Sequence, residues 1–241
     1  MSRIADRFGR AAATYESATA IQREVAGRLA ERILAWGVAP EARVAEFGCG
    51  TGYLTRALAP MLQPSLWIAT DLAPAMAAAA RASTPLVAVM DAARPALGPG
   101  FDLVCSSLTL QWLADPAATL SAWRGLARPG GVLAVATLLG GSFAEWRSAL
   151  AEAGATSAGP AFPSLEEARG WFAPDAAIET LTLTEGHPSA LHFLQALRAA
   201  GTDAADSGAL RAGVMRRAMA AFEAQGRAAT YRVLLAVERV G

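Results

Sequence analysis

A glycine-rich stretch beginning at residue 48 constrains the fold of this chain more than any other feature. A short apolar run, 44–47, contains the acidic Glu46, and glycines then occupy positions 48, 50 and 52 before Leu54 starts a helical pattern. A strand that turns into a helix through glycines brings backbone N–H groups and the positive end of a helix close to a ligand. The spacing lacks the lysine of a phosphate-binding P-loop, and its third glycine comes one residue too early for the G-x-G-x-x-G dinucleotide fingerprint.

Acidic residues end the next two apolar runs. Asp71 follows the run 66–70 and lies nineteen residues after Gly52. At this place in doubly wound folds, a carboxylate accepts the two hydroxyls of a ribose. Asp91 ends the run 86–90, and an acceptor there could meet an adenine amino group. The spacing therefore predicts a nucleoside site at the ends of these strands.

The fourth apolar run, 101–108, has no charged residue at its tip. It contains Ser106 and leads into Gln111 and Trp112. Four successive strand ends that carry Glu46, Asp71, Asp91 and Ser106 are difficult to explain by chance. The pattern favours a ligand site built from several strand ends.

Strand and helix patterns alternate along most of the chain. The first helix is predicted at 17–35, and strands are predicted at 43–47, 66–70, 86–90, 101–106, 131–138, 178–184 and 231–237. The alternation implies right-handed βαβ crossovers and an α/β fold, with a mostly parallel sheet and helices on both faces. Two further helical patterns, at 190–200 and 209–224, separate the last two strands. We expect them to form a lid over the active site, the alternative being an embellishment that only stabilises the sheet edge.

Several motifs together resemble a known family. The strings E-F-G-C-G-T-G, T-D-L, M-D-A, F-D-L-V-C-S-S-L and R-P-G-G are similar to those of the class I S-adenosylmethionine-dependent methyltransferases. The strings F-G-R-A-A-A-T-Y-E, S-L-T-L-Q-W and T-L-L-G-G-S narrow the resemblance to the BioC-type malonyl-[acyl-carrier protein] O-methyltransferases of biotin synthesis. It spans nearly the whole chain, with one departure: related sequences often have Asn where this chain has Ser107.

The resemblance implies a Rossmann-like class I methyltransferase fold whose seven-stranded, mostly parallel sheet has its last strand antiparallel beside the sixth. A single domain is expected over 1–241, with an N-terminal cap segment and helix (1–40), a core (41–185), a helical lid (186–228) and the last strand (229–241). S-adenosyl-L-methionine is the implied cofactor. The residues expected to bind it are Glu46, Gly48, Cys49, Gly50, Gly52, Tyr53, Asp71, Leu72, Met76, Asp91, Ala92, Ser106 and Leu108.

The implied reaction methylates the free carboxylate of a malonyl thioester, carried on acyl-carrier protein or coenzyme A, in an early step of pimeloyl formation. A carboxylate with a pKa of about 4 is ionised at neutral pH and needs no general base. We therefore expect no catalytic acid or base, because positioning and desolvation promote the in-line displacement. Four residues are expected to contact the substrate: Tyr15, Gln111, Trp112 and Arg198.

Docking of an acidic carrier protein would have to rely on arginine, since the chain contains no lysine. The predicted lid supplies four candidates: Arg198, Arg211, Arg216 and Arg217. The alternative is that all four are ordinary solvated charges. Arg216 and Arg217 are adjacent on a helix and face different directions, so we do not expect both to dock.

Composition indicates a soluble small-molecule enzyme. The 21 basic and 21 acidic residues balance, so the chain lacks the excess of positive charge that is typical of proteins that bind nucleic acid or a membrane surface. Cys49 and Cys105 are interpreted as small buried hydrophobes, and the two histidines lack a metal-ligand spacing, so no metal is expected. The sequence has neither an apolar signal segment nor a membrane-spanning run. We expect a cytoplasmic monomer.

Three alternative functions stay open at this point. Another class I methyltransferase would act on a different carboxylate or on a phenol, although a phenol would require a base. A non-catalytic nucleotide-binding module would have kept the fold and lost the transfer, but the intact Glu46, Asp71 and Asp91 argue against decay. A nicotinamide dehydrogenase is disfavoured by the glycine spacing. The sequence does not distinguish a malonyl group on acyl-carrier protein from one on coenzyme A.

Overall fold

A seven-stranded sheet lies at the centre of the structure, a computed structural model that describes residues 3–156, 161–201 and 210–241. The strands are β1 (Arg43–Phe47), β2 (Leu66–Asp71), β3 (Val87–Val89), β4 (Phe101–Ser107), β5 (Ala127–Leu138), β6 (Ala177–Gly186) and β7 (Ala228–Arg239). Their order across the sheet is β3-β2-β1-β4-β5-β7-β6. The pairs among β1 to β5 are parallel, whereas β7 runs antiparallel to both β5 and β6. The predicted sheet, with its last strand antiparallel beside the sixth, is confirmed.

Helices cover both faces of this sheet, as predicted. They are α1 (Arg3–Ala11), α2 (Ala20–Ala35), α3 (Tyr53–Leu62), α4 (Pro74–Ala80), α5 (Pro116–Arg124), α6 (Ala144–Glu152), α7 (Leu165–Arg169), α8 (Ala190–Ala199) and α9 (Ala212–Ala224). Side chains of β5 alternate between two buried clusters: Val132, Ala134 and Ala136 join one, and Leu133 and Val135 join the other. This period of two is what a strand buried on both faces produces.

The N-terminal helix α1 differs from the sequence prediction, which placed the first helix at 17–35. Ile4 and Phe8 are four residues apart on one face, a helical spacing that the sequence prediction did not use, while Gly9 and the polar remainder lower the helix propensity. Ala5 and Ala11 are buried against Ala73 and Met76 at the start of α4. Tertiary packing therefore stabilises α1, as it does most helices too short to persist alone.

The two helices predicted as a lid are present between β6 and β7. Phe193 of α8 stacks on Phe222 of α9 with ring centroids 4.8 Å apart, and Trp146 of α6 lies 5.6 Å from Phe193 and 5.7 Å from Phe222. These rings fix α8 and α9 against α6. Strand β6 ends at Gly186 and β7 begins at Ala228, so both helices lie in the connection between these strands. The start of the second predicted helix, at 209, lies outside the described residues.

In the described part of the chain, every helix is too short or too polar to cross a bilayer. The longest of them, α2, has 16 residues. The helices instead bury one side against the sheet, as Val25, Leu29 and Ile33 of α2 do. Their spacing of four residues places these three side chains on one face.

A buried ion pair joins α5 to the last strand. Glu238 of β7 is 1 % exposed, and its Oε1 accepts a hydrogen bond from Arg124 Nε at 2.5 Å. The backbone N–H of Ala173 donates to the other carboxylate oxygen at 2.8 Å, and Arg124 Nη2 donates to the carbonyl of Trp171 at 2.7 Å. Arg124 thus neutralises a carboxylate that has almost no contact with water.

Removing this guanidinium should destabilise the fold. Arg124→Ala leaves the Glu238 charge buried with one backbone donor, so we expect the free energy of unfolding to fall by about 2–4 kcal/mol. The matched control is Arg128→Ala, which breaks the more exposed pair with Asp102 and should cost less than about 1 kcal/mol. Urea denaturation followed by circular dichroism measures both. Equal losses in the two variants would contradict the role assigned to the buried pair.

Candidate functional site

The turn between β1 and α3 is built from left-handed glycines. The φ angles of Gly48, Gly50 and Gly52 are +64°, +54° and +95°, a region that other residues rarely adopt. A Cβ atom at Gly48 would lie 1.9 Å from Oγ1 of Thr109, so the turn approaches the segment after β4 too closely for any side chain. Above Gly50, in contrast, the nearest atom to such a Cβ is Cε1 of Tyr15 at 4.0 Å. The turn therefore leaves bare backbone at Gly50, with the Tyr15 ring at van der Waals distance above it.

Asp71 connects the end of β2 to this turn. Its Oδ2 accepts a hydrogen bond from the backbone N–H of Gly50 at 2.9 Å, and its Oδ1 accepts one from Ala73 at 2.8 Å. Burial raises the pKa of Asp71, and the backbone donors lower it in part. Each carboxylate oxygen keeps a further lone pair for a ligand hydroxyl. The structure thus places the predicted ribose acceptor directly beside the predicted glycine turn.

The predicted cofactor residue Glu46 points into the protein interior. It is 2 % exposed, and its Oε2 accepts hydrogen bonds from Thr55 Oγ1 and, at 3.0 Å, from Trp67 Nε1. Thr55 lies on α3 and Trp67 on β2, so the carboxyl group links the two elements that flank β1. Burial raises the pKa of Glu46 to about 7 despite these two hydrogen bonds. The geometry makes Glu46 a support for the turn.

The N-terminal segment lies over the turn and is fastened there by Arg56, which sequence reasoning missed. Arg56 Nη2 pairs with Glu16 Oε1 at 2.6 Å, and Nη1 donates to the carbonyl of Thr51 at 2.7 Å. Its guanidinium also lies 5.2 Å from the ring centroid of Tyr53. No motif marks this arginine, and its only signal is its position one turn into the helix that follows the glycines.

The predicted substrate residue Tyr15 is part of the same segment. Its ring centroid lies 6.1 Å from that of Tyr53, whose hydroxyl is 2.8 Å from Thr19 Oγ1. Burial, assisted by Tyr53 and Asp71, raises the pKa of Tyr15, so its phenol stays protonated at neutral pH. Tyr15 therefore faces the candidate cofactor site as a neutral side chain.

Four more of the residues predicted to bind the cofactor lie near the start of α4 or directly after β3. Leu72 and Met76 lie along the start of α4, and Met76 is buried in the small cluster under α1. Asp91 follows β3 and is exposed, with Oδ1 accepting from the backbone N–H of Ala93 at 2.9 Å. Ala92 is buried, and its carbonyl accepts from Trp123 Nε1. Of these four residues, Asp91 is the one that is exposed.

The other three predicted contacts are Ser106, Cys49 and Leu108. Ser106 is fully buried, and its hydroxyl donates to the carbonyl of Phe47 at 2.9 Å, which ties β4 to β1. Cys49 is buried too, and burial raises the pKa of its thiol, so it stays protonated. Leu108 adopts a positive φ of 55° immediately after β4.

The described residues contain no group of His, Cys, Asp or Glu side chains arranged as metal ligands.

Gln111 and Trp112, predicted to contact the acceptor, behave differently from each other. The amide of Gln111 donates to the Leu108 carbonyl at 2.8 Å and accepts from Thr137 at 3.2 Å, so it holds the strained loop in place. Trp112 meets the ring of Phe8 edge-on, with centroids 5.5 Å apart. Phe8 in turn touches Gly201, where an added Cβ would lie 2.7 Å from Phe8 Cδ1. Helix α1 thus connects Trp112 to the end of α8.

The predicted docking arginines are spread over two helices. Arg198 is exposed in the last turn of α8, three residues before Gly201. Arg217 of α9 instead donates to the carbonyl of Ala153 at 3.0 Å and is thereby bound to the end of α6. Arg211 precedes the first residue of α9 as its N-cap. Of these three, only Arg198 lies beside α1.

Comparisons with known proteins identify relatives along most of the chain. Residues 45–133 match the family model described as a methyltransferase domain. The chain is 40 % identical over 235 residues to the biotin biosynthesis bifunctional protein BioCD of Bordetella avium, covering 95 % of this chain and 50 % of that protein. It is 32 % identical to the malonyl-[acyl-carrier protein] O-methyltransferase of Magnetococcus marinus, covering 96 % of this chain and 90 % of that protein. The chain thus spans half the length of the bifunctional relative and nearly all of the second.

Solved structures share the fold at low sequence identity. The YcgJ protein of Bacillus subtilis superimposes with a TM-score of 0.61 at 14 % identity, covering 88 % of this chain and 97 % of that one. A possible histamine N-methyltransferase of Thermotoga maritima gives a TM-score of 0.58 at 18 % identity, covering 98 % and 99 %. At these identities the likeness shows the methyltransferase architecture alone.

The buried carboxyl of Glu46 should make stability fall as the pH rises. Its folded pKa of about 7 exceeds the unfolded value of about 4.3, so the folded state binds the proton more tightly between those limits. Wild-type unfolding free energy therefore declines across that window and levels off above it. Glu46→Gln cannot ionise. The difference in unfolding free energy between this variant and wild type should therefore shift in favour of the variant by about 2–3 kcal/mol over the same range.

Urea titrations at four pH values from about 5 to about 8 measure this difference. The matched control is Glu24→Gln, an exposed carboxylate on α2, whose curve should follow wild type within about 0.5 kcal/mol. If the curves of wild type and Glu46→Gln run parallel throughout, Glu46 does not titrate as its burial requires.

Proposed function

Because the chain belongs to the malonyl-[acyl-carrier protein] O-methyltransferases, we propose that it esterifies the free carboxylate of a malonyl group held as a thioester on acyl-carrier protein. The protein is an S-adenosylmethionine-dependent methyltransferase of biotin biosynthesis. The observation that carries the proposal is the Asp71–Gly50 hydrogen bond at the glycine turn. The chain also covers 90 % of the length of a relative named for this reaction. Together they supply a cofactor site and an acceptor class.

The residues at the turn fit S-adenosylmethionine. A ligand at Gly50 would meet bare backbone beneath the Tyr15 ring, and Asp71 has lone pairs free for the ribose hydroxyls. Asp91 is the exposed acceptor for the adenine amino group. Arg56 closes the site by holding Glu16 to the turn. The cofactor, when bound, supplies a methyl group on a sulfonium sulfur.

The acceptor side of the site fits a carboxylate because no proton has to be removed. A malonyl carboxylate is ionised at neutral pH, and positioning and loss of water suffice to make it attack. Phe8 and Trp112, both half-buried, form an aromatic wall beside the proposed acceptor site. Tyr15, kept neutral by its raised pKa, is suited to donate a hydrogen bond to an acceptor or cofactor oxygen. A phenolic acceptor would need a base, and Tyr15 is too weak an acid to have given up its proton.

Methyl-transfer assays with labelled S-adenosylmethionine test the acceptor directly. Malonyl-[acyl-carrier protein], malonyl-coenzyme A, succinyl-coenzyme A and a simple phenol are compared at equal concentration. We expect label in a methyl ester with the malonyl thioesters, and the ratio of kcat/KM values decides between carrier protein and coenzyme A. If the protein binds the cofactor but methylates only another carboxylate or the phenol, the proposed acceptor is wrong.

Substitution of Asp71 tests the cofactor site. Asp71→Ala removes the acceptor for two buried hydroxyls, at roughly 1–3 kcal/mol, so affinity for S-adenosylmethionine should fall by about 10- to 100-fold. Titration calorimetry measures it, after circular dichroism has established that the variant folds. The control is Asp102→Ala at the opposite end of the strands, where the carboxylate pairs with Arg128. Unchanged affinity in Asp71→Ala would remove this residue from the site.

A further inference from the structure

A cavity of about 410 Å³ lies between the C-terminal ends of α1 and α8. Arg7, Arg10 and Thr14 line it from the N-terminal segment, and Gln195 and Arg198 line it from α8. The polar lining and the three arginines distinguish it from the glycine turn. None of the residues assigned to the cofactor lines it.

Positive charge is concentrated in this cavity by helix geometry. Arg7 and Arg10 are three residues apart on α1, a spacing that places both side chains on one face, and Arg198 approaches from α8. Within the described residues, neither Arg10 nor Arg198 forms an ion pair with a carboxylate. Guanidinium groups bind phosphate and carboxylate oxygens through paired N–H donors. The ligand chemistry of the cavity is therefore anionic.

Helix dipoles explain only part of this arrangement. Arg10 and Arg198 each lie in the last turn of a helix, where a cation interacts favourably with the free carbonyls. That interaction would account for each residue separately on a flat surface. It does not account for Arg7, which lies a turn earlier, nor for the recess that all three share.

The cavity adjoins the wall of the acceptor site. Gly201, which lines the cavity, has a positive φ of 71° and touches Phe8 so closely that an added Cβ would lie 2.7 Å from the ring. Phe8 also contacts Trp112, with ring centroids 5.5 Å apart. One aromatic residue therefore separates the arginines from Trp112. An anion bound here would belong to a part of the substrate away from the reacting carboxylate.

We propose that this cavity binds the phosphate ester of the pantetheine arm that carries the malonyl thioester. The inference rests on the proposed function, and it deepens that function by assigning a recognition site for the arm. Acyl-carrier protein and coenzyme A both present a phosphate ester on the same pantetheine unit, so one cavity serves either thioester. Carboxylates on the surface of a carrier protein have the same ligand chemistry, but a recess between two helix ends suits a slender arm better than a broad protein surface.

The test compares two acceptors that differ by the phosphate alone: malonyl-phosphopantetheine and malonyl-pantetheine. In Arg10→Gln/Arg198→Gln, we expect KM for the phosphorylated acceptor to rise by about 5- to 20-fold, because two charged hydrogen bonds are lost from a partly exposed site. KM for malonyl-pantetheine should change by far less. Arg169→Gln, an exposed arginine in the last turn of α7, removes the same charge elsewhere and should change neither KM.

Each other outcome identifies a different error. A loss confined to malonyl-[acyl-carrier protein] would mean that the arginines contact the carrier protein surface, and it would overturn the proposal. Equal losses for both pantetheine acceptors would do the same, because the arginines would then serve the acceptor site or the fold.

Binding measurements separate the failure of this inference from failure of the proposed function. Titration calorimetry with phosphopantetheine and with pantetheine, on wild type and on the double variant, requires no methyl transfer. Wild type should bind the phosphorylated compound more tightly, and the double variant should lose that preference. If wild type methylates no malonyl compound, the proposed acceptor fails while this binding difference still decides the cavity. No preference for the phosphorylated compound in wild type would overturn the cavity assignment.

Discussion

The hydrogen bond from the Gly50 backbone N–H to Asp71 is the interaction on which the candidate site depends. It joins the glycine turn after β1 to the end of β2, and it does so with the same carboxylate that faces the ligand space. A second tie runs from Cys49 N–H to the carbonyl of Thr70, and the Ser106 hydroxyl holds Phe47 from β4. Three parallel strands therefore fix the turn before any ligand arrives, which lowers the entropy lost on binding.

Two acidic side chains are buried at this turn, and burial destabilises their charged forms. Glu46 and Asp71 both have raised pKa values because burial disfavours their charged forms, and the charge of Asp71 adds to the rise at Glu46. Glu46 resolves the conflict by accepting two hydrogen bonds and titrating near neutrality, whereas Asp71 is held by backbone donors. The difference in their donors makes Glu46 a support for the turn and leaves Asp71 as the residue that we propose contacts the ligand.

The sequence could predict the features that depend on local pattern. Alternating apolar runs located all seven strands, the glycines at 48, 50 and 52 located the turn, and the acidic residue after the second run located Asp71. The prediction missed α1, because its amphipathic pattern covers only nine residues and the contacts with α4 that stabilise it lie more than 60 residues away. It could not show that the Gln111 amide is used by Leu108 and Thr137, since both partnerships depend on tertiary structure.

The N-terminal segment shows why the missing information was nonlocal. One short stretch brings Phe8 to Trp112, Tyr15 to Tyr53 and Glu16 to Arg56, so it borders both of the sites that we propose for acceptor and cofactor. Its arginines line the cavity beside α8 as well. A helix with so few buried residues of its own takes its order from these contacts. Arg3 and Asp6 of this helix are exposed, so its polar residues meet water while Ala5 and Phe8 pack against the rest of the protein.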